Sequence, residues 1–170
     1  MTDARVLDRA DAVSGWRYWQ LSPSGLLSSV TQRRIDWHPG RPLRAGCLGG
    51  GHRAPDAGCD CGIYGSSDLE TLRQHGLCLA PEALVVGTVL LWGKVIDEEY
   101  GHRAEYALPS RLLLVPELGL DDETDAALEQ LRAYGVPTGT IPLDEAVAGI
   151  SATTLAFQAM AARASRTRAD

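Results

Sequence analysis

The fold is decided by residues 84–108, which read LVVGTVLLWGKVIDEEYGHRAEYAL. Leu84 to Ile96 is rich in valine and leucine, a composition typical of a buried strand. Residues 97–102 are polar and predict a turn, after which Arg103 to Leu108 is expected to return as the antiparallel partner. Gly93 lies inside the first strand, where a glycine marks a bulge or a close approach of another backbone. An antiparallel sheet is therefore expected at the centre of the fold.

Shorter elements are predicted on either side of this hairpin. Residues 15–21 alternate large rings with polar groups, which is the period of a half-buried strand, and residues 26–30 predict a second strand. Ser67 and Glu70 match a capping box, so a short helix is expected to begin at Ser67 and to end at Gly76. These elements alone predict a mixed α and β fold.

The composition limits the class of protein. The chain has 170 residues, of which 45% are hydrophobic and 22% charged, and this suits a globular domain better than a disordered chain. The net charge of -6 argues against a general phosphate-binding surface. We expect a cytoplasmic protein, because the N-terminus leads into no apolar run and no apolar stretch is long enough to span a membrane. In that reducing compartment, neighbouring cysteines are more often metal ligands or catalytic groups than disulfides.

A long irregular region holds most of the cysteines. Residues 37–62 contain several prolines and glycines, and a loop of that length is uncommon unless function or a cross-link orders it. Its ligand-type residues follow the spacing Cys47-x4-His52-x6-Cys59-x-Cys61. Three thiolates and an imidazole suit tetrahedral zinc, and the neighbouring glycines allow the tight turns that such spacing needs. We therefore predict a structural Zn²⁺ that orders this loop.

Other readings of the cysteines remain open. Cys78 or His75 can replace His52 as the fourth ligand, although the leucines around Cys78 favour a buried core cysteine. An iron–sulfur centre or redox-active thiols also use cysteines bunched in this way. A catalytic zinc would need an open position and a nearby carboxylate. Asp56 and Asp60 lie in the loop but outside any zinc-hydrolase motif, and three thiolates make the ion a weak Lewis acid.

A second set of candidates lies among the aromatic and hairpin residues. The chain has four tryptophans and one phenylalanine; such rings usually pack in a core but also line ligand pockets and partner grooves. The charged hairpin residues either pair across the strands or ring a polar site at the sheet edge. The candidate ligand- or partner-binding residues are Trp37, Tyr64, Trp92, Lys94, Arg103 and Glu105.

Several segments together resemble a known family. The segments include Trp37-x-Pro39-Gly40, Cys59-x-Cys61-Gly62-Ile63-Tyr64, Trp92-Gly93 and Arg103-Ala104-Glu105-Tyr106-Ala107-x-Pro109. Over residues 15–137 the chain looks like a family of uncharacterised small actinobacterial proteins. The resemblance implies that these residues form one unit, and it implies no activity. Its motif includes His52, which is why His52 is preferred to Cys78 as the fourth ligand.

The predicted fold class is α+β: a small antiparallel sheet or partly open β-barrel, with a zinc-stapled loop and two or three flanking helices. Asp121 and Asp122 are expected to cap a helix, and the alanine-rich segment after residue 142 is helical by propensity. We predict a flexible N-terminus over residues 1–14, a zinc-stabilised domain over 15–140, a C-terminal helix over 141–163 and a disordered tail over 164–170.

No phosphate loop or nucleophile elbow is present, so we expect a non-enzymatic binding or regulatory module with a protein or small-molecule partner and no membrane. A zinc- or thiol-dependent enzyme using the cysteine cluster is the first alternative. The second is a nucleic-acid-binding accessory protein, although the acidic charge gives no general expectation of such a partner. Its contacts would be the arginines in and before the loop, which are Arg33, Arg34, Arg41, Arg44 and Arg53.

Overall fold

The computed structural model describes residues 4–30, 35–76, 83–118 and 123–149. The strands are β1 (Ala4–Leu7), β2 (Val13–Leu21), β3 (Leu27–Ser29), β4 (Asp36–Trp37), β5 (Leu43–Arg44), β6 (Ile63–Ser66), β7 (Leu84–Glu98), β8 (Gly101–Leu114) and β9 (Thr138–Thr140). The helices are α1 (Leu69–His75), α2 (Thr124–Arg132) and α3 (Leu143–Ala146), with 3-10 turns at Arg9–Asp11 and Pro116–Leu118. The described residues thus form mostly antiparallel strands with three helices, which confirms the α+β class.

The chain divides into two compact units. The first comprises Met1–Arg17, Gly40–Gly76 and Gly87–Arg111, and the second comprises Tyr18–Pro39, Leu77–Val86 and Leu112–Asp170. The long strands β2, β7 and β8 each contribute residues to both units, and the single domain predicted over residues 15–140 stays a prediction.

The first unit is built around β7 and β8, the predicted hairpin. Strand β1 pairs antiparallel with β7, with Val6 opposite Lys94, and both β5 and β6 pair antiparallel with β8. Gly93 has a φ of +76°, which agrees with the bulge or close approach predicted for it. The predicted flexible N-terminus was wrong for Ala4–Leu7, because the backbone of this segment is paired with β7.

Two facing glycines bring β2 and β6 close together in this unit. A Cβ atom added at Gly15 would lie 2.8 Å from the Cα atom of Gly65, and one added at Gly65 would lie 3.0 Å from the Cα atom of Gly15. The pairing of Trp16 with Ser66 lies beside this contact. Since the obstacle is backbone on both sides, neither position has room for a side chain.

The second unit has its own aromatic core. Trp19 and Trp37 are fully buried and meet edge to face with ring centroids 5.6 Å apart. The hydroxyl of Tyr134 accepts a hydrogen bond from the backbone N–H of Leu27 at 2.8 Å and donates one to the carbonyl oxygen of Trp37 at 2.6 Å. Strand β9 pairs in parallel with β8, and α2 packs against β9.

The helix ends differ from the predictions. Asp68, and not Ser67, is the N-cap of α1, because its carboxylate accepts a hydrogen bond from the backbone N–H of Thr71 at 2.7 Å. Helix α3 has a single turn, and the extended backbone of Val147 interrupts the helix predicted over residues 141–163. Residues 150–163 and the predicted tail lie outside the described residues, as do the predicted caps Asp121 and Asp122.

Within the described ranges, no helix has both the length and the apolar character needed to cross a membrane.

Candidate metal centre

Four side chains of the first unit converge as predicted. The ligand atoms of Cys47, His52, Cys59 and Cys61 all lie within 4.8 Å of one another. The Sγ atoms of Cys47 and Cys59 are 3.8 Å apart, and Nε2 of His52 lies 3.3 Å from Sγ of Cys61. Zinc at its usual bond lengths, about 2.3 Å to sulfur and about 2.0 Å to nitrogen, would give tetrahedral edges of about 3.8 Å and about 3.5 Å. The four residues lie close enough to bind a metal ion.

The first half of the site is the segment 44–53, which carries Cys47 and His52. It leaves β5, and the backbone N–H of Ala45 donates to the carbonyl oxygen of Glu105 on β8 at 2.7 Å. The chain then turns through a hydrogen bond from the N–H of Gly50 to the carbonyl oxygen of Cys47 at 3.3 Å. This turn reverses the chain and returns His52 toward the cysteines.

The second half of the site is the segment 56–61, which carries Cys59 and Cys61. Asp56 organises it: its carboxylate accepts from the N–H of Gly58 at 2.9 Å, and its carbonyl oxygen accepts from the N–H of Cys59 at 3.1 Å. The hydrogen bond from the N–H of Gly58 stabilises the carboxylate of Asp56 and is the main reason that its pKa lies below the ordinary value. After Cys61, Gly62 leads into β6 with a φ of +130°. A turn over residues 56–59 therefore leads directly into the two cysteines.

Arg103 of β8 fixes the second half of the site by hydrogen bonds to its backbone. Its side chain is only 4% exposed, and its guanidinium donates to the carbonyl oxygens of Asp56 at 3.3 Å, Cys59 at 2.5 Å and Cys61 at 2.8 Å. It also forms an ion pair with Glu98 across the hairpin. One buried cation thus satisfies three carbonyl oxygens of a loop that has few backbone partners of its own.

Glu105 holds the first half. Its carboxylate is 1% exposed and accepts from Arg53 at 2.6 Å, while Nε of Arg44 lies 3.4 Å away and the backbone N–H of Lys94 donates at 3.4 Å. Burial opposes its ionisation, but the hydrogen bond from Arg53 and the backbone N–H of Lys94 hold the pKa of Glu105 below its ordinary value. Arg44 and Arg53 are the first and last residues of the segment 44–53, so the carboxylate of Glu105 contacts both ends of the segment.

The two cysteines of the second half have different environments. Hydrogen bonds from the backbone of Cys61 and from the side chain of Cys47 lower the pKa of the Cys59 thiol. Burial raises the pKa of the Cys61 thiol. Donation of a backbone N–H to Cys59 stabilises its thiolate, which is the form that binds metals.

The predicted partner-binding residues are divided. Trp37 belongs to the core of the second unit, at 1% exposure, and its indole N–H donates to Ser29, so its predicted place in a partner site was wrong. Arg103 and Glu105 are buried, and their side chains bind the loop of residues 44–61. They therefore do not surround an exposed site at the sheet edge, which was one of the two predictions for them.

Three other predicted partner-binding residues remain accessible. Tyr64 is 48% exposed and its hydroxyl donates to the carbonyl oxygen of Asp60 at 2.8 Å. Trp92 stacks on Tyr106 with ring centroids 5.8 Å apart. The ammonium of Lys94 lies 3.9 Å from the carboxylate of Asp56, while its backbone N–H donates to the carboxylate of Glu105 at 3.4 Å.

Among the described residues, the rival fourth ligand His75 is not part of the cluster. His75 stacks on the ring of Tyr100 with centroids 3.9 Å apart, at the end of α1. Cys78 lies outside the described residues. His52 therefore supplies the imidazole of the group.

Sequence reasoning missed the roles of Arg44, Arg53 and Asp56. The sequence indicates the two arginines only as nucleic-acid contacts, and Asp56 only as a carboxylate near the predicted zinc ligands. A usable signal was present: Arg103 and Glu105 are two residues apart on one strand, so their side chains share a face. An arginine and a glutamate on one buried face need partners of opposite charge or polar backbone groups, and the adjacent loop supplies both.

Comparison of the chain with protein-family models, with curated proteins and with solved structures gave no match.

Proposed function

We propose that the Cys47–His52–Cys59–Cys61 cluster binds one structural Zn²⁺ and that the chain is a non-enzymatic, zinc-stabilised binding module. The observation that carries this proposal is the convergence of three thiols and one imidazole within 4.8 Å, at separations close to the edges of a zinc tetrahedron. Three thiolates and one imidazole complete four-coordination. A zinc ion with no open position and three thiolate ligands is suited to structure and poorly suited to Lewis-acid catalysis.

The proposed metal supplies what the loop lacks. Of residues 44–62, only Ala54 and Pro55 are buried, so apolar burial offsets little of the entropy that ordering this segment costs. Zinc binding to such ligand sets contributes on the order of 10 kcal/mol or more at neutral pH. The metal therefore orders the loop, and the loop in turn fixes the exposed ring of Tyr64 through Asp60. A cytoplasmic location belongs to this proposal, because a reducing compartment keeps the three thiols available to the metal.

We place the partner-binding face on the side of β7 and β8 that carries Trp92 and Tyr106 in the first unit. Trp92 and Tyr106 are half-buried there, with the guanidinium of Arg9 5.5 Å from the ring centroid of Trp92 and that of Arg44 5.7 Å from the ring centroid of Tyr106. Aromatic rings and arginine are the residues that most often carry binding energy at protein interfaces. The face therefore suits a protein or a small molecule with apolar and acidic groups.

Two of the arginines that favoured nucleic acid have other partners. Arg44 and Arg53 both lie on Glu105, which reduces the positive charge that they offer to phosphates. This observation supports a protein or small-molecule partner over a nucleic acid.

The zinc proposal is tested on the purified, unmodified chain by elemental analysis and thiol counting. We expect one zinc per chain and at most one reactive thiol, that of Cys78; added chelator should expose the three thiols of the cluster and lower the unfolding temperature. Cys59→Ser should lose the metal, and the control Cys78→Ser should retain it. A chain without metal and with four reactive thiols would overturn the proposal.

A further inference from the structure

Two different side chains of β8 bind the two halves of the candidate metal centre, which are the segments 44–53 and 56–61. Glu105 binds Arg44 and Arg53, which bracket Cys47 and His52, whereas Arg103 binds the carbonyl oxygens of Cys59 and Cys61. The two supports have opposite charge and share one face of the strand. Each half of the ligand set therefore depends on a different residue.

We propose that Glu105, acting through Arg53, is a positioning residue for the metal, and that it presents Cys47 and His52 to a pair of cysteines held independently by Arg103. This inference rests on the proposed zinc site. Glu105 touches no ligand atom; it fixes the arginine that follows His52 directly and the arginine three positions before Cys47. The carbonyl oxygen of the same residue binds the N–H of Ala45, so both its side chain and its backbone fix this half.

The physical reason lies in the exposure of the partners. The side chains of Arg44 and Arg53 are 59% and 65% exposed, so each is readily hydrated once its carboxylate partner is removed. Glu105 itself is buried, and at this position a neutral amide gives the two guanidinium groups a much weaker acceptor. The segment between the two arginines is then no longer fixed by either ion pair. The conformational entropy lost when the metal orders this segment reduces the free energy of metal binding.

Arg53→Gln is the decisive variant. The side chain of Arg53 is 65% exposed, so its replacement leaves the buried core unchanged and the chain should still fold. We expect zinc affinity to fall by about 10- to 100-fold, the usual effect of removing a group that orients a metal ligand. Glu105→Gln should give a loss at least as large, because it also removes the partner of Arg44. The double variant should bind zinc no more weakly than Glu105→Gln alone, since Arg53 acts through Glu105. Arg53→Lys keeps the charge and should recover most of the affinity.

A spectroscopic readout separates positioning from general destabilisation. With Co²⁺ in place of Zn²⁺, the near-ultraviolet charge-transfer band grows with the number of bound thiolates. At one equivalent of Co²⁺, Arg53→Gln should keep the thiolate band but shift the visible d–d bands, because His52 is partly displaced. Glu105→Gln should also weaken the thiolate band, because it removes the carboxylate that fixes Arg44 on the Cys47 side. The matched control is Arg132→Gln, which removes an arginine of 60% exposure from an ion pair with Glu129 in the second unit and should leave both affinity and spectrum unchanged.

The outcomes are distinct. If the unmodified chain binds no zinc, the proposed function fails. If it binds one zinc, and Arg53→Gln and Glu105→Gln bind zinc and Co²⁺ as the unmodified chain does, the zinc site stands and the positioning role is overturned. Should Glu105→Gln not fold, Arg53→Gln and Arg53→Lys decide the question.

Discussion

The guanidinium of Arg103 lies 2.8 Å from the carbonyl oxygen of Cys61, on the side of the loop that faces β8. With the proposed zinc bound, three thiolates and one imidazole would give the cluster one net negative charge, and Arg103 is a buried cation next to it. The attraction between them is weakly screened because water has little access to the arginine. Arg103 therefore supports the loop by its hydrogen bonds and, with the proposed metal bound, would also support it by its charge.

Replacing Arg103 by glutamine should destabilise the zinc-loaded chain by about 2–4 kcal/mol, because three loop carbonyl oxygens and Glu98 lose a buried donor. Urea unfolding followed by circular dichroism measures the change. Arg111→Gln is the control, since Arg111 is an exposed residue of the same strand. An unchanged unfolding midpoint for Arg103→Gln would contradict this account of the loop.

Stability should depend on pH through Glu105. The pKa of Glu105 is held below its ordinary value in the folded chain, so its contribution is fully present above that ordinary value and is lost as the pH falls through the folded-state pKa. The difference in unfolding free energy between the unmodified chain and Glu105→Gln should therefore be constant at neutral pH and shrink as the solution becomes acidic. Denaturant titrations of the metal-free proteins over a pH series measure it, and a difference that grows on acidification would refute the assignment.

Tyr134→Phe should destabilise the second unit by about 1–3 kcal/mol, because the backbone N–H of Leu27 and the carbonyl oxygen of Trp37 are left buried without their shared hydroxyl. The change retains the ring, so packing is almost preserved. Thermal and urea unfolding give the magnitude. Tyr100→Phe, at a ring that is 45% exposed, is expected to have little effect.

Gly15→Ala should be strongly destabilising, by about 2 kcal/mol or more, since the new methyl group would overlap the backbone of Gly65. The matched control is Gly139→Ala, where the added Cβ would meet only Leu113 at an ordinary 3.5 Å. Soluble yield and unfolding temperature report both variants. Equal behaviour of the two would show that β2 and β6 can separate without cost.

Local patterns were sufficient for the hairpin, for strand β2 and for the four-residue cluster. In each case the signal is short-range: a valine-rich run, a period of two, or ligand residues within one loop. The alternative of a partly open barrel stays a prediction, as do the bound metal and the partner.

The features that the sequence did not predict correctly share a physical cause, which is that they depend on contacts with distant parts of the chain or on backbone geometry. Strand β1 forms through pairing with residues some ninety positions away, and nothing local in Ala4–Leu7 encodes that partner. Trp37 gave no sign of whether it packs inside or outside, since an indole serves both purposes. Ser67 and Asp68 are both good caps, and only the backbone geometry selects between them.

The alternation of Arg103 and Glu105 has a consequence for recognising distant relatives. A chain that keeps C-x4-H-x6-C-x-C but lacks R-x-E on a later strand should carry the ligands without their scaffold, whereas a chain with both should hold the ion in the same loop. The two motifs together define a search pattern, and their co-occurrence across genomes is a test that needs no purified protein.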